Sequence, residues 1–198
     1  LTSESEIVVS IGHTDASYEQ AMEAIDAGAA YVTHLFNAMT ALNHRNPGVV
    51  GAALSSDVAC ELIADTFHIH PGLYSLLDME CILLYTVKKD KLILITDCTR
   101  AGGLQDGEYT LGGQPIFVKG IECRLKDGTI AGSVLKLNNA VKNFRDHAQV
   151  PMWQAVRAAS LQPAAAIGEE KTKGSLEKGK DADIVIMDAD CQAIKTYV

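Results

Sequence analysis

Leu92-Ile93-Leu94-Ile95-Thr96-Asp97 is the stretch that decides how this chain is read. It is apolar without polar alternation and then stops at a carboxylate. Such a run fits a strand covered on both faces, as in a parallel sheet. An Asp just beyond it has left the apolar layer and can face a cleft. Gly102-Gly103 follow and permit a sharp turn. Further out, two runs end alike: Ile7-Val8-Val9-Ser10-Ile11-Gly12 leads into His13, and Tyr31-Val32-Thr33 into His34. A third, Leu62-Ile63-Ala64-Asp65-Thr66-Phe67, leads into His68. Strand ends carrying His, His, His and Asp in succession point to one metal-assisted site at one end of a parallel sheet.

The segments between these strands read as helices and loops. Ser17 to Ala27 is a helix with Ser17 as N-cap, Gln20 completing a capping box and Gly28 closing it. A strand over 30–34, a loop over 37–48 rich in turn formers, and a short apolar helix or turn over 49–54 follow. A strand over 61–67, a helix from Pro71 to about Cys81 and the strand 91–96 complete the alternation, which implies parallel strands joined by right-handed crossovers. After Gly103 the pattern changes. Residues 109–118 read as a hairpin, 121–125 alternate, and Asp127-Gly128 marks a turn, so a short antiparallel excursion is expected. Helices are expected over 135–147, with Leu137, Ala140, Val141 and Phe144 on one face, and over 151–160 and 162–168. A strand over 183–188 has a partner in 192–198.

A chain of 198 residues can bury one good core, or one domain plus an appendage. Hydrophobic residues at 47% and charged residues at 21% give the composition of a soluble globular protein. A net charge of -8 argues against sequence-independent nucleic-acid binding, and an anionic substrate would need a local cation. No run is long enough to span a membrane. Leu1-Thr2-Ser3-Glu4-Ser5-Glu6 lacks the basic-then-apolar order of a signal peptide, and without an initiator Met the chain reads as the later part of a longer polypeptide. Cys60, Cys81, Cys98, Cys123 and Cys191 form no CxxC pair; an odd count in an acidic chain favours reduced thiols and a cytoplasmic setting.

His13 and His34 are of the residue type that binds zinc or iron, and a catalytic metal needs about three protein ligands and an open position. Either histidine alone reads equally as a hydrogen-bonded strand end. Asp97 can be a metal ligand, a general base or both, or simply a helix N-cap. His68, near His70, can bind substrate or hold its strand end. Asn37, His44 and Arg45 lie in the loop after His34. Arg45 suits a phosphate, through bidentate hydrogen bonds and a permanent charge, or is a solvated loop residue. Ala131-Gly132-Ser133 can bring backbone N–H groups to a ligand, or be an ordinary turn.

Five segments occur in one order: Gly12-His13-Thr14-Asp15-Ala16, Thr33-His34-Leu35-Phe36-Asn37-Ala38-Met39, His44-Arg45-Asn46-Pro47-Gly48, Thr96-Asp97 with Ala101-Gly102-Gly103, and Ala131-Gly132-Ser133. Together they resemble the N-acetylglucosamine-6-phosphate deacetylase family of the amidohydrolase superfamily. Gly174-Ser175-Leu176-Glu177-Lys178-Gly179-Lys180-Asp181-Ala182-Asp183-Ile184-Val185 looks like that superfamily's return to its small β domain. The resemblance implies an α/β fold: the later half of a (β/α)8 TIM-type barrel over 1–168, with the antiparallel excursion inserted, and part of a small β domain over 174–198. It implies His13 and His34 as ligands of a divalent metal, Zn or Fe, and Asp97 as catalytic acid and base. Asn37, Ala38, Arg45 and His68 would bind an amino-sugar phosphate, and Ile130, Ala131 and Gly132 would line its acetyl end. The loop bearing Arg45 would reach a neighbouring subunit, giving a homodimer, and an upstream half would supply a glutamate ligand. Thr66 stands where the family has Gly, and Thr99-Arg100 where it has smaller or apolar residues. The alternatives are another amidohydrolase such as a cyclic-amide hydrolase, a metal-binding protein without turnover, or a non-catalytic half-barrel.

Overall fold

The computed structural model describes residues 7–75, 88 and 90–198. Strands β1 (Val9–Ile11), β2 (Ala29–Val32), β3 (Ala59–Ile63) and β4 (Leu92–Ile95) form a sheet in that spatial order, each neighbour parallel. Helices α1 (Tyr18–Asp26), α2 (Gly48–Ser55) and α3 (Pro71–Ser75) lie in the three connections. The helix expected from Pro71 to about Cys81 is met over Pro71–Ser75, and its remainder lies outside the described residues. The apolar reading of β4 holds. Leu92, Ile93 and Leu94 are buried, and the strand pairs with β3 in continuous register from Cys60 against Leu92 to Ile63 against Ile95.

The capping box that marked α1 is formed: Gln20 N–H donates to Ser17 Oγ at 3.3 Å, and Ser17 N–H to Gln20 Oε1 at 2.9 Å. The third strand was expected over 61–67 and instead ends at Ile63. Asp65 is the cause. Its Oδ1 accepts the N–H groups of Phe67 at 2.9 Å and His68 at 2.8 Å, and Thr66 turns through φ 66°. A carboxylate that binds the backbone two and three residues ahead competes with strand pairing and starts a turn. His68 is therefore not at a strand end.

The antiparallel excursion is a three-stranded meander, β5 (Gly107–Leu111), β6 (Gln114–Lys119) and β7 (Glu122–Leu125), around Ala101, Ile116, Val118 and Cys123. Arg124 of β7 lies 4.7 Å over the Phe67 ring, which joins the meander to the turn carrying His68. Helices α4 (Leu137–Ala148), α5 (Met152–Ala159) and α6 (Leu161–Ala166) follow. Ala140, Val141 and Phe144 of α4 join the main core with Val32, Leu62 and Leu94, whereas Leu137, in the first turn, projects beyond that cluster and is 40% exposed. Strands β8 (Ile184–Met187) and β9 (Ala193–Tyr197) make a separate hairpin whose Val185, Ile186 and Ile194 are exposed. Cys60, Cys98, Cys123 and Cys191 are free thiols, and burial pushes Cys60 up to about 11; Cys81 lies outside the described residues. No described helix is long and apolar enough to cross a membrane.

Candidate active site

Three of the four central strands present the same local design. β1 ends at Ile11, β2 at Val32 and β4 at Ile95, and two residues beyond each stand His13, His34 and Asp97. All three have left-handed backbones, φ 46°, 33° and 48°. A left-handed residue other than glycine costs about 1–2 kcal/mol, and such residues gather at functional sites. Phe36 (φ 80°) and Ala38 (φ 49°) continue the pattern after β2, so alternate residues of the His34 turn are left-handed. Each turn stands at the sheet's carboxyl end, where sites in parallel sheets are found.

The two histidines converge. Nε2 of His34 is 2.9 Å from Nε2 of His13, and the rings meet edge to face with centroids 4.7 Å apart. His34 is buried, and its Nδ1 is a buried atom with no hydrogen-bond partner. Gly12 permits the approach, since a Cβ there would lie 2.8 Å from Thr33 Cβ. His13 lines an open cleft of about 580 Å³ with Thr14, Asp15, Ala38, Met39 and Thr40. Two imidazoles whose Nε2 atoms face each other fit a partial metal ligand set by the chemistry of their donors. No third His, Cys, Asp or Glu completes such a group among the described residues.

Asp97 is exposed and stands beside Gly132: a Cβ on Gly132 would lie 3.2 Å from the Asp97 carbonyl oxygen and 2.9 Å from Thr99 Cγ2. The Ser133 N–H donates to that same carbonyl at 2.8 Å, and the Ser133 hydroxyl donates to the Thr96 carbonyl. Ala131-Gly132-Ser133 is thus held alongside the turn after β4, with Ile130 preceding it and 37% exposed. Asn37 spends its amide on the His34 and Leu35 carbonyls, at 3.2 and 3.3 Å, and the Ala38 carbonyl accepts the Thr14 N–H at 3.1 Å. Asn37 thus braces the His34 turn from within, and Ala38 ties it to the turn that carries His13. His68 is tied by Nδ1 to Asp65 Oδ2 at 2.6 Å, and both side chains are buried. Burial works to raise the Asp65 carboxyl, but its hydrogen bonds with the His68 ring and the His68 and Phe67 N–H groups prevail and hold it low. Arg45 is exposed on its loop and its guanidinium makes no ion pair or hydrogen bond among the described residues. Arg100 is exposed as well.

Two residues at this end were not singled out from sequence. Asp65 stands two residues past β3, the place that His13, His34 and Asp97 take on their own strands. That common offset emerges only once β3 is seen to end at Ile63, since the sequence placed Asp65 inside the strand. Glu61 is the charged residue inside the apolar strand Ala59–Ile63. Burial raises its carboxyl above the usual range, the His34 N–H and ring oppose this, and the Asp97 charge adds to it. Glu61 therefore lies within the electrostatic reach of both.

A model of the Amidohydrolase family matches residues 3–198. The N-acetylglucosamine-6-phosphate deacetylase of Bacillus subtilis (strain 168) is 43% identical over 192 residues, 96% of this chain and 47% of that protein. The N-acetylgalactosamine-6-phosphate deacetylase of Escherichia coli O157:H7 is 40% identical over 182 residues, 91% of this chain and 46% of that protein. Among solved structures, N-acetylglucosamine-6-phosphate deacetylase from Pasteurella multocida superposes with a TM-score of 0.90 at 35% identity, over 98% of this chain and 49% of that one. A mutant of the Mycobacterium smegmatis enzyme in complex with N-acetyl-D-glucosamine-6-phosphate superposes at 0.88 with 36% identity, over 96% of this chain and 50% of that one. The chain spans about half the length of the curated relatives it matches.

Proposed function

The chain belongs to the Amidohydrolase family, and from that premise we propose that it is the later half of a metal-dependent deacetylase of N-acetylglucosamine 6-phosphate. In this reading residues 1–168 are the later half of a (β/α)8 barrel and 174–198 part of a small β domain. His13 and His34 hold a divalent metal, Zn or Fe, with a further ligand from the length of the relatives that this chain does not span. When bound, such a metal would supply Lewis-acid polarisation of the acetamide carbonyl and make water a better nucleophile near neutral pH. Asp97 takes the proton of the attacking water as the new C–O bond forms. It returns that proton to the amide nitrogen as the C–N bond breaks, releasing acetate and glucosamine 6-phosphate. An amide nitrogen leaves poorly unless protonated, so one carboxylate serves both steps.

The other residues orient the sugar. The Gly132 segment lies beside Asp97 and would line the acetyl group through Ile130, Ala131 and Gly132. His68, with Nδ1 fixed by Asp65, keeps Nε2 for a sugar hydroxyl. Ala38 lines the cleft with His13, and Asn37 precedes it in the same turn. Arg45, exposed and unpaired among the described residues, would meet the phosphate of a partner subunit's substrate in a homodimer. A cytoplasmic setting accords with the free thiols.

The observation that carries the reading is the equivalent placement of His13, His34 and Asp97, with the imidazoles 2.9 Å apart. The test is acetate release by the complete protein containing these residues. N-acetylglucosamine 6-phosphate is compared with its galacto epimer, the unphosphorylated sugar and a cyclic amide. Turnover is expected with the first and should disappear in Asp97→Asn. Hydrolysis of the cyclic amide alone would overturn the assignment.

A further inference from the structure

We infer that Glu61 is the positioning residue of the metal pair, gripping the turn that carries His34 by two successive N–H groups. Its backbone carbonyl accepts the Leu35 N–H at 2.8 Å, and its carboxylate Oε2 accepts the His34 N–H at 3.4 Å. The gripped turn is the strained one, with His34, Phe36 and Ala38 all left-handed. Left-handed residues of this kind cost about 1–3 kcal/mol each and persist only where their surroundings over-determine them. Asn37 holds the turn from within, through the His34 and Leu35 carbonyls. Glu61 holds it from the next strand, through the matching N–H groups. Donors and acceptors of the His34–Leu35 pair are thereby both fixed, and the imidazole is aimed at His13.

The choice of residue at 61 supports this role. Its strand neighbours Cys60 and Leu62 are buried and apolar, and across the sheet it pairs with Ile93, which is 4% exposed. A half-buried carboxylate there costs free energy that an apolar residue would not, unless it meets a donor. The donor it meets is the amide of a candidate metal ligand. Partners that orient a ligating histidine through its ring typically change affinity 10–100-fold when removed, and Glu61 acts on the same orientation through the backbone.

The inference rests on the reading of His13 and His34 as metal ligands, so the test separates the two. Zn²⁺ binding is measured by competition with a chromophoric chelator, and the Co²⁺ visible spectrum is recorded, for the wild type, Glu61→Met, Glu61→Gln and His34→Ala. Met keeps the volume without an acceptor; Gln keeps an acceptor without the charge. Glu61→Met should bind Zn²⁺ 10–100-fold more weakly and shift the Co²⁺ bands, while Glu61→Gln stays near wild type. Equal binding by wild type and Glu61→Met would overturn the positioning role and leave the metal reading standing. Equal loss in Glu61→Met and Glu61→Gln would also overturn it, by showing that the charge matters and not the bond. Equal binding by wild type and His34→Ala would overturn the metal reading itself, and the inference with it. A further measurement needs no variant at 61. The His34 amide proton should exchange slowly with solvent, and fast exchange in the folded chain would show that the carboxylate does not hold it.

Discussion

The site depends on single atoms at its closest approaches. Gly12 is required because β1 and β2 draw together where the histidines meet, leaving 2.8 Å between a would-be Cβ and Thr33. Gly12→Ala should lower stability by about 1–3 kcal/mol, the usual effect of forcing extra volume into a packed site. It should also part the imidazoles, so a melting curve and a Zn²⁺ titration should both show loss. Asp65 gives a pH-dependent signature. Its carboxyl is held below the ordinary value of 3.8 in the folded chain. A lowered folded pKa means that its contribution is complete above the unfolded value and is lost as pH falls through the folded one. Urea unfolding of the wild type should therefore weaken steeply below about pH 4, and Asp65→Asn, already weaker at neutral pH, should fall less over that window. His13, His34 and Asp97 were legible because chemistry-bearing residues followed apolar runs. Asp65 was hidden inside a run that looked like strand, and Glu61 because a lone acid in a strand gives no spacing to read.

Elements were legible where local chemistry alone forms them. The α1 capping box is complete within four residues, Ser17 to Gln20, so it could be recognised before any packing was known. Ser17→Ala should cost about 1 kcal/mol, visible as a lower urea midpoint with an unchanged slope. The β5–β6–β7 meander was likewise marked by its turns. The third strand was misjudged at both ends, because its start and stop are not decided by apolar content. It begins two residues early, at Ala59, where it pairs with Tyr31 of β2, and stops when Asp65 captures the backbone ahead of it. A side chain that recruits local N–H groups can end a strand that hydrophobicity would continue.

At the scale of the whole molecule, the described sheet has two open sides. β1 and β4 are its edges, and Val8 and Val9 at the β1 side are exposed. Unpaired edges recruit other strands. Expressed as these 198 residues, the protein should self-associate, with light scattering after size exclusion showing concentration-dependent oligomers; a monodisperse monomer would contradict this. The left-handed backbones at His13, His34 and Asp97 carry a different consequence, for the conflict between performing a reaction and remaining folded. Asp97 is exposed and buries little, so its backbone angle is the main thing the fold gives up for it. Asp97→Gly should melt above Asp97→Ala, by about 1 kcal/mol, because glycine adopts the required φ freely. A lineage released from selection for catalysis would therefore be expected to drift toward glycine at these positions, gaining durability as it loses its chemistry.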